Sequence, residues 1–308
     1  MIDTPFGRLR VCDTHTHFFT PSFYTNLGKL AGVGADGNLV AQKLGWDAPP
    51  ATPELVASGW VKELDRHGVD RVVAIHTLPG DAESAGAGIS SSAGRLAGYV
   101  MINPLADGAM EMLKRAVEEH HFRGVALFPA MFGFDLHADP AYAILDYANQ
   151  KSLNVFVHCG VLKVGFRTKL GLPSTFDASL ASPLLLQKPS AEFPKANFIV
   201  PHLGSGLLRE LLMVADQVPN IYTDTSGMAG WTRYVEGNPS PASVLRHVLH
   251  IMGPHRILFG SDSTFFPRGW RRDIFDLQLA LFEEANLSSD QVGQILSGNF
   301  DGLLKDQA

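Results

Sequence analysis

Cysteine is nearly absent from this 308-residue chain: only Cys12 and Cys159 occur. Two thiols cannot form the dense disulfide framework of a small secreted domain. A dominant charge is lacking as well. Lys and Arg total 25 against 31 Asp and Glu, a formal net charge of −6, and the basic residues are scattered, which excludes the electrostatic footprint of a nucleic-acid partner. No run approaches the roughly eighteen uncharged apolar residues of a membrane span, so no membrane partner is expected. The first residues carry no basic segment followed by an apolar stretch, and without such a secretory signal the expected location is cytoplasmic. A G-x-G-x-x-G motif after the first apolar run is missing too, which removes the main support for a dinucleotide-binding sheet.

Apolar material, in contrast, is plentiful. Hydrophobic residues make up 45% of the chain and charged residues 18%, enough for a sizeable core and unlike a disordered segment. The length is about twice that of a common domain, which allows two domains or one large barrel. Eight β-rich runs decide between them: 9–15, 70–76, 96–102, 124–128, 154–158, 197–202, 220–225 and 256–261. Helical patterns fill most of the gaps, at 53–67, 106–121, 140–151, 207–216, 242–252 and 271–285. Such alternation builds right-handed βαβ units and a parallel sheet. Eight units in this length predict an α/β fold, a single (β/α)8 TIM barrel domain over 1–308, with an open doubly wound sheet as the alternative. The Gly-rich stretch 18–52 is expected to be a long loop after strand one, and the Ala/Gly/Ser stretch 82–94 a flexible one. An extra C-terminal helix, opened by Ser288 as its cap, is expected to pack across the outside of the barrel.

The strand tips carry the chemistry. His15 and His17 stand two apart, and in a strand residues i and i+2 share one face about 7 Å apart, close enough to share an ion. His76, His158 and His202 end strands two, five and six, and Asp262 follows strand eight. In a (β/α)8 barrel all these tips meet on the active face. Each residue alone is unremarkable, but together the imidazoles and carboxylate of strands one, five, six and eight suit a divalent transition metal.

D-T-H-T-H at 13–17, V-F-V-H-C-G at 155–160, F-I-V-P-H-L-G-S-G at 198–206, Y-T-D-T-S-G at 222–227, I-L-F-G-S-D at 257–262 and S-G-N-F at 297–300 follow one another along nearly the whole chain. In these motifs the sequence resembles the amidohydrolase superfamily, in the branch that includes aminocarboxymuconate semialdehyde decarboxylase. The resemblance implies one divalent metal held by His15, His17, His158 and Asp262, with His202 beside it as an acid/base or electrostatic group. Binuclear members carry a carboxylated lysine on strand four, where this chain has Arg123-Gly124-Val125-Ala126-Leu127-Phe128-Pro129. The departure favours a single metal, with zinc expected and Mn, Fe or Co as alternatives. Gly204-Ser205-Gly206 replaces a familiar glycine pair, and Ser263-Thr264-Phe265-Phe266 lacks the proline that many relatives have there. The substrate-facing loops are therefore expected to differ.

The expected activity is hydrolysis of a small ester, lactone or amide by metal-activated water, with His202 and Asp262 as the catalytic residues. The alternative is non-oxidative decarboxylation of a small carboxylated aromatic or muconate-type substrate, which needs a cation for the carboxylate and a surface for the ring. A non-catalytic metal-binding scaffold ranks third. Candidate wall residues are Lys163, Arg167, Lys169, Trp231, Arg233, Arg268 and Trp270. Arg167, His76 and Trp231 are taken as the substrate contacts, although packing or a hydrogen bond to a ligand competes for His76. Asp13 and Asp224 are candidates to orient ligand histidines. Cys159 alternates with His158 and is read as a structural thiol. The expected partner is a small anionic substrate, and homodimerisation is left open.

Overall fold

The barrel starts later than the sequence pattern predicts. The computed structural model describes residues 1–77, 81–264 and 269–305. Ile2–Thr4 (β1) and Gly7–Leu9 (β2) pair antiparallel in a small hairpin, which claims Leu9. The first barrel strand is Cys12–Phe18 (β3), so His15, expected as the last residue of 9–15, and His17, expected just beyond it, both lie within the strand. It is followed by Arg71–His76 (β4), Leu96–Met101 (β5), Gly124–Leu127 (β6), Asn154–Val157 (β7), Asn197–Val200 (β8), Ile221–Asp224 (β9), Ile257–Leu258 (β10) and Ser263–Thr264 (β11). From β3 to β10 each strand pairs in parallel with the next, and β11 pairs with β3. Thr14 N–H also donates to Phe259 O at 2.9 Å, which joins the eighth strand to the first. The (β/α)8 architecture is as expected.

Strand eight differs in detail. Of the predicted 256–261 strand only Ile257–Leu258 (β10) is formed; Asp262 follows with a left-handed backbone, φ 54°, and β11 lies beyond it. Strand six ends early for a related reason. Pro201 has no N–H for a ladder, and His202 turns to φ 57°.

Alternation along the strands sorts the core. Val73, Ile75, Tyr99, Met101, Ala126, Phe156, Ile199 and Leu258 pack inside the barrel, while Val72, Ala74, Val100, Val125, Val155 and Phe198 meet the surrounding helices. The tail corrects an expectation. Ser288 does cap a helix, with a full capping box to Gln291, but the final helix Asn299–Lys305 does not lie across the outside. Its Phe300 and Leu303 belong to the inner cluster, and Asn154 at the start of β7 donates through Nδ2 to Leu303 O at 3.0 Å. The tail plugs the N-terminal end of the barrel, and burying Phe300 stabilises that arrangement by about 1.5–3 kcal/mol.

The stretch 18–52 is a two-helix cap rather than an irregular loop. Thr20 accepts from Phe23 N–H and Pro21 opens the helix Pro21–Leu30, while Asp36 caps Gly37–Leu44. Phe19, Phe23, Tyr24, Leu27, Val40, Ala41 and Leu44 form its own small core, joined by Trp46, Phe166, Leu170 and Leu172. The stretch 82–94 also corrects an expectation, because Ala82–Ser90 is a helix. Its Gly88 allows close packing: a Cβ there would stand 2.7 Å from Pro53 O. Among the described residues no helix is long and apolar enough to cross a membrane.

Candidate metal centre and active site

Asp262 is the point on which two ligands converge. Its N–H donates to His15 O at 2.9 Å, fixing the left-handed turn, and Nε2 of His17 and of His15 stand 3.1 and 3.7 Å from its Oδ1. The donor atoms of His15, His17 and Asp262 all lie within 4.8 Å of one another. Asp262 keeps 43% of its side chain accessible, and that exposure opens into the cavity it lines. Burial alone would raise its carboxyl pKa, but the His17 hydrogen bond and the charges of His15, His17 and His202 hold it far below the usual carboxylate range.

The other nitrogens of these histidines are already committed. Asp224, at the end of β9, takes His15 Nδ1 at 2.9 Å, and Thr77 Oγ1 lies 3.1 Å from His17 Nδ1. Such partners orient the two rings so that their Nε2 atoms face Asp262. Burial opposes the ion pair, yet His15 beside it brings the Asp224 carboxyl down to about 2. His15, His202 and Asp224 form a second close group, but it is a hydrogen-bond network. Asp224 Oδ1 accepts from the backbone N–H of His202 at 3.1 Å and of Ser226 at 3.0 Å, and from the Ser226 hydroxyl.

His202 is held equally firmly. Its Nδ1 lies 3.0 Å from Ser226 O and 2.8 Å from Ser226 Oγ. A carbonyl oxygen only accepts, so Nδ1 carries the hydrogen and, in the neutral ring, Nε2 is bare. Burial, reinforced by His15, lowers the His202 pKa and keeps that neutral form. His158 lines the same cavity, stacks on Phe128 at 5.6 Å and stands 5.4 Å from the His202 ring. Burial, with His202 and His15 nearby, puts its pKa well below the ordinary value. Its buried Nδ1 has no hydrogen-bond partner among the described residues. It lies outside the 4.8 Å donor group, but a neutral imidazole with an orphaned nitrogen on this wall fits a metal-binding role.

Backbone strain collects here. His202, Leu203, Ser205 and Asp262 all have φ between 47° and 57°, and strain of this kind, about 1–3 kcal/mol each, persists only where surrounding contacts impose it. The loops after strands five and six also dovetail. Gly160, at φ 74°, sits where a Cβ would come within 2.2 Å of Gly204 O.

The strand-four comparison needs a correction. Arg123 lies at the far, N-terminal end of β6, and the residue that this strand's tip presents to the cavity is Phe128. No lysine is available there to bridge a second ion.

The cavity encloses about 480 Å³. Beyond the polar end its wall is Phe19, Phe23, Leu27, Leu30 and Trp46 from the cap, with Lys163, Phe166, Arg167 and Lys169 from the segment after β7 beside them. Arg167 Nε donates to Pro173 O at 2.8 Å and its guanidinium lies over Phe176, with no carboxylate paired to it among the described residues. Burial without a counter-charge lowers its pKa. Other expected contacts are not brought to this wall. His76 has the outward parity of its pairing partner Phe18, is 1% exposed, and lies 3.8 Å from Asp81 Oδ2. The Trp231 ring lies 6.0 Å from the His202 ring, centroid to centroid, stacks on Tyr234 and is not among the residues that line the cavity. Trp270 is buried behind the site, where its Nε1 and Ser261 N–H both bind Asp13, so Asp13 anchors the strand-eight turn and does not orient an imidazole side chain. Arg233 pairs with Tyr234 at the surface, and Arg268, with Phe265 and Phe266, lies outside the described residues. Sequence reasoning missed Ser226 and Thr77, although the D-T-S motif sets Ser226 two residues beyond Asp224.

The family model described as amidohydrolase matches residues 12–299. The chain belongs to the amidohydrolase family. No curated protein matches this amidohydrolase. Among solved structures it is similar to 5-carboxyvanillate decarboxylase from Sphingomonas paucimobilis, at 14% identity and a TM-score of 0.65, covering 97% of this chain and 99% of the other. A dihydroxybenzoic acid decarboxylase from Polaromonas sp. JS666, with bound manganese and the inhibitor 2-nitroresorcinol, gives 16% identity and a TM-score of 0.64 over 97% of each chain. A Pseudomonas putida protein named as a 2-pyrone-4,6-dicarboxylic acid hydrolase gives 18% identity and a TM-score of 0.62, covering 98% and 99%. These likenesses establish the fold. Decarboxylases and a hydrolase share it, so the reaction has to be argued from the site.

Proposed function

We propose that this amidohydrolase is a metal-dependent hydrolase of a small ester, lactone or amide that carries an anionic group. The observation that carries the reading is the fixed tautomer of His202, with Nδ1–H on Ser226 O and a bare, neutral Nε2. Asp262 is likewise held in its anionic form. Both candidate acid/base groups therefore stand ready to accept a proton, as hydrolysis requires and as direct protonation of a substrate carbon does not.

His15, His17, Asp262 and His158 would hold one divalent ion. When bound, such an ion polarises a carbonyl and eases deprotonation of water, and zinc is the first expectation from the His-rich set. Asp262 Oδ1, within reach of His17 and His15, orients the attacking water and holds its proton. That same proton would pass to His202 Nε2, which delivers it to the leaving group. Ser226 and Asp224 keep His202 and His15 in the tautomers that these roles need. Arg167 binds the substrate's carboxylate as a fork that stays charged.

A specific observation also favours decarboxylation: the wall combines an unpaired guanidinium with aromatic rings, the two things a carboxylated ring would require. A panel of carboxylated lactones, esters and amides beside carboxylated aromatics, followed for acid release and for carbon dioxide, separates the two. Hydrolysis that stops with chelator and returns with added divalent metal is expected. Carbon dioxide from the aromatic set without hydrolysis of the others would promote the second reading.

A further inference from the structure

The polar end accounts for only part of the cavity. At about 480 Å³ it falls in the range of roughly 300–1,000 Å³ that encloses a drug-sized ligand. The rest is a continuous apolar wall that begins at the metal centre. The His17 ring lies 6.1 Å from Phe19, inclined by 30°, Phe19 stacks on Phe23 at 4.2 Å, and Phe166 meets Phe19, Phe23 and Trp46 edge-on. Beyond these rings come Leu27 and then Leu30, which is 59% exposed although it lines the cavity. An exposed leucine at the outer end of a buried apolar wall is covered when an apolar group extends that far.

The cations sit on the same side. Arg167 and Phe166 share the short helix Gly165–Lys169, and Lys169 Nζ donates to Leu44 O of the cap at 3.3 Å. An anion held by Arg167 would thus lie against the aromatic wall, not in open solvent.

We propose that the substrate is an amphipathic anion whose apolar arm, longer than a single small ring, runs from the metal centre along Phe19, Phe166 and Trp46 to Leu27 and Leu30. The identity of the reacting bond rests on the hydrolase reading, but the arm subsite does not require turnover. Its position also makes the cap a selectivity element, because Leu27, Leu30 and Trp46 all belong to the connection after β3.

Calorimetric binding of straight-chain carboxylates from butanoate to decanoate to the metal-loaded protein tests this directly. Affinity should rise about fourfold with each methylene that the wall covers, the equivalent of roughly 0.8 kcal/mol per buried CH₂. Leu30→Ser, a change at an exposed position, should flatten the gain for the longest members only. Trp46→Ala should flatten it from shorter members onward. Arg167→Met should weaken the whole series without changing its slope. Affinity independent of chain length, or a slope unaltered in both cap variants, would overturn the arm. Because these acids are not turned over, a rising series with no hydrolysis of any ester would refute the reaction and leave the arm standing. Hydrolysis of short esters with a flat series would do the reverse.

Discussion

Asp224 touches His15, His202 and Ser226 through both of its oxygens, whereas the cap at the other end of the same cavity is assembled from Phe19, Phe23 and Trp46 lying ring against ring, with Phe166 of the helix Gly165–Lys169 set against them. The first region rests on directional bonds and left-handed turns that tolerate little displacement. The second rests on apolar area, which is non-directional and can be repacked. Among the described residues the cap has few polar ties to the barrel, chiefly Thr20 and Ser22 on Asp81 at one end and Lys169 on Leu44 O. Chemistry is therefore built into the strands and selectivity into the insertion that follows the first of them.

The contrast predicts opposite responses to substitution. Replacing both His15 and His17 with Ala should abolish metal binding and activity together, while circular dichroism still shows a folded barrel, because the core does not depend on them. Loss of the fold along with the metal would mean that the centre is structural. His202→Gln should keep metal content and lower kcat by about 10² to 10⁴, the usual contribution of a positioned acid/base group. If metal leaves with the rate, His202 is a ligand.

Asp224→Asn is expected to weaken metal affinity by about 10- to 100-fold, as the loss of a hydrogen-bond partner behind a ligand does, with a competing chelator as the readout. Unchanged affinity would remove Asp224 from its positioning role. On the cap side, Arg167→Met should raise KM about tenfold for anionic substrates, the loss of one charge-assisted contact, and leave neutral substrates and metal content as they were. An equal effect on both substrate classes would make Arg167 a packing residue. The smallest effect concerns the thiols. Burial pushes Cys12 up to about 12 and raises Cys159 as well, so both stay protonated and unreactive at mildly alkaline pH. A thiol reagent should therefore label neither in the native protein and both after denaturation. Rapid native labelling would show that these parts of the barrel open.

The two regions were not equally legible in the sequence. Strand periodicity and the H-x-H, V-H-C and G-S-D motifs placed His15, His17, His158, His202 and Asp262 around one cavity, because a strand tip leaves little freedom in where a side chain goes. A strand-end position alone does not make His76 a substrate contact: it pairs with Phe18, which faces the helices, so it turns away from the cavity and packs, the competing reading. The cap was read as a loop because its glycines hid two short helices, whose stability comes from tertiary packing of Phe23, Leu27 and Val40 and not from local propensity. The plug by Phe300 and Leu303 was out of reach too, since nothing local tells an apolar helix which end of a barrel it will close. Ser226 went unnoticed because a serine's role depends on two histidines contributed by other strands.

Isotope incorporation by the wild-type, metal-loaded protein tests the central claim most directly. With the best carboxylated ester or lactone from the panel, turnover in ¹⁸O-labelled water should place one solvent oxygen in the acid released, with no loss of carbon dioxide. Carbon dioxide release in heavy water, with deuterium on the carbon that bore the carboxylate and no solvent oxygen in the organic product, would contradict the hydrolase account.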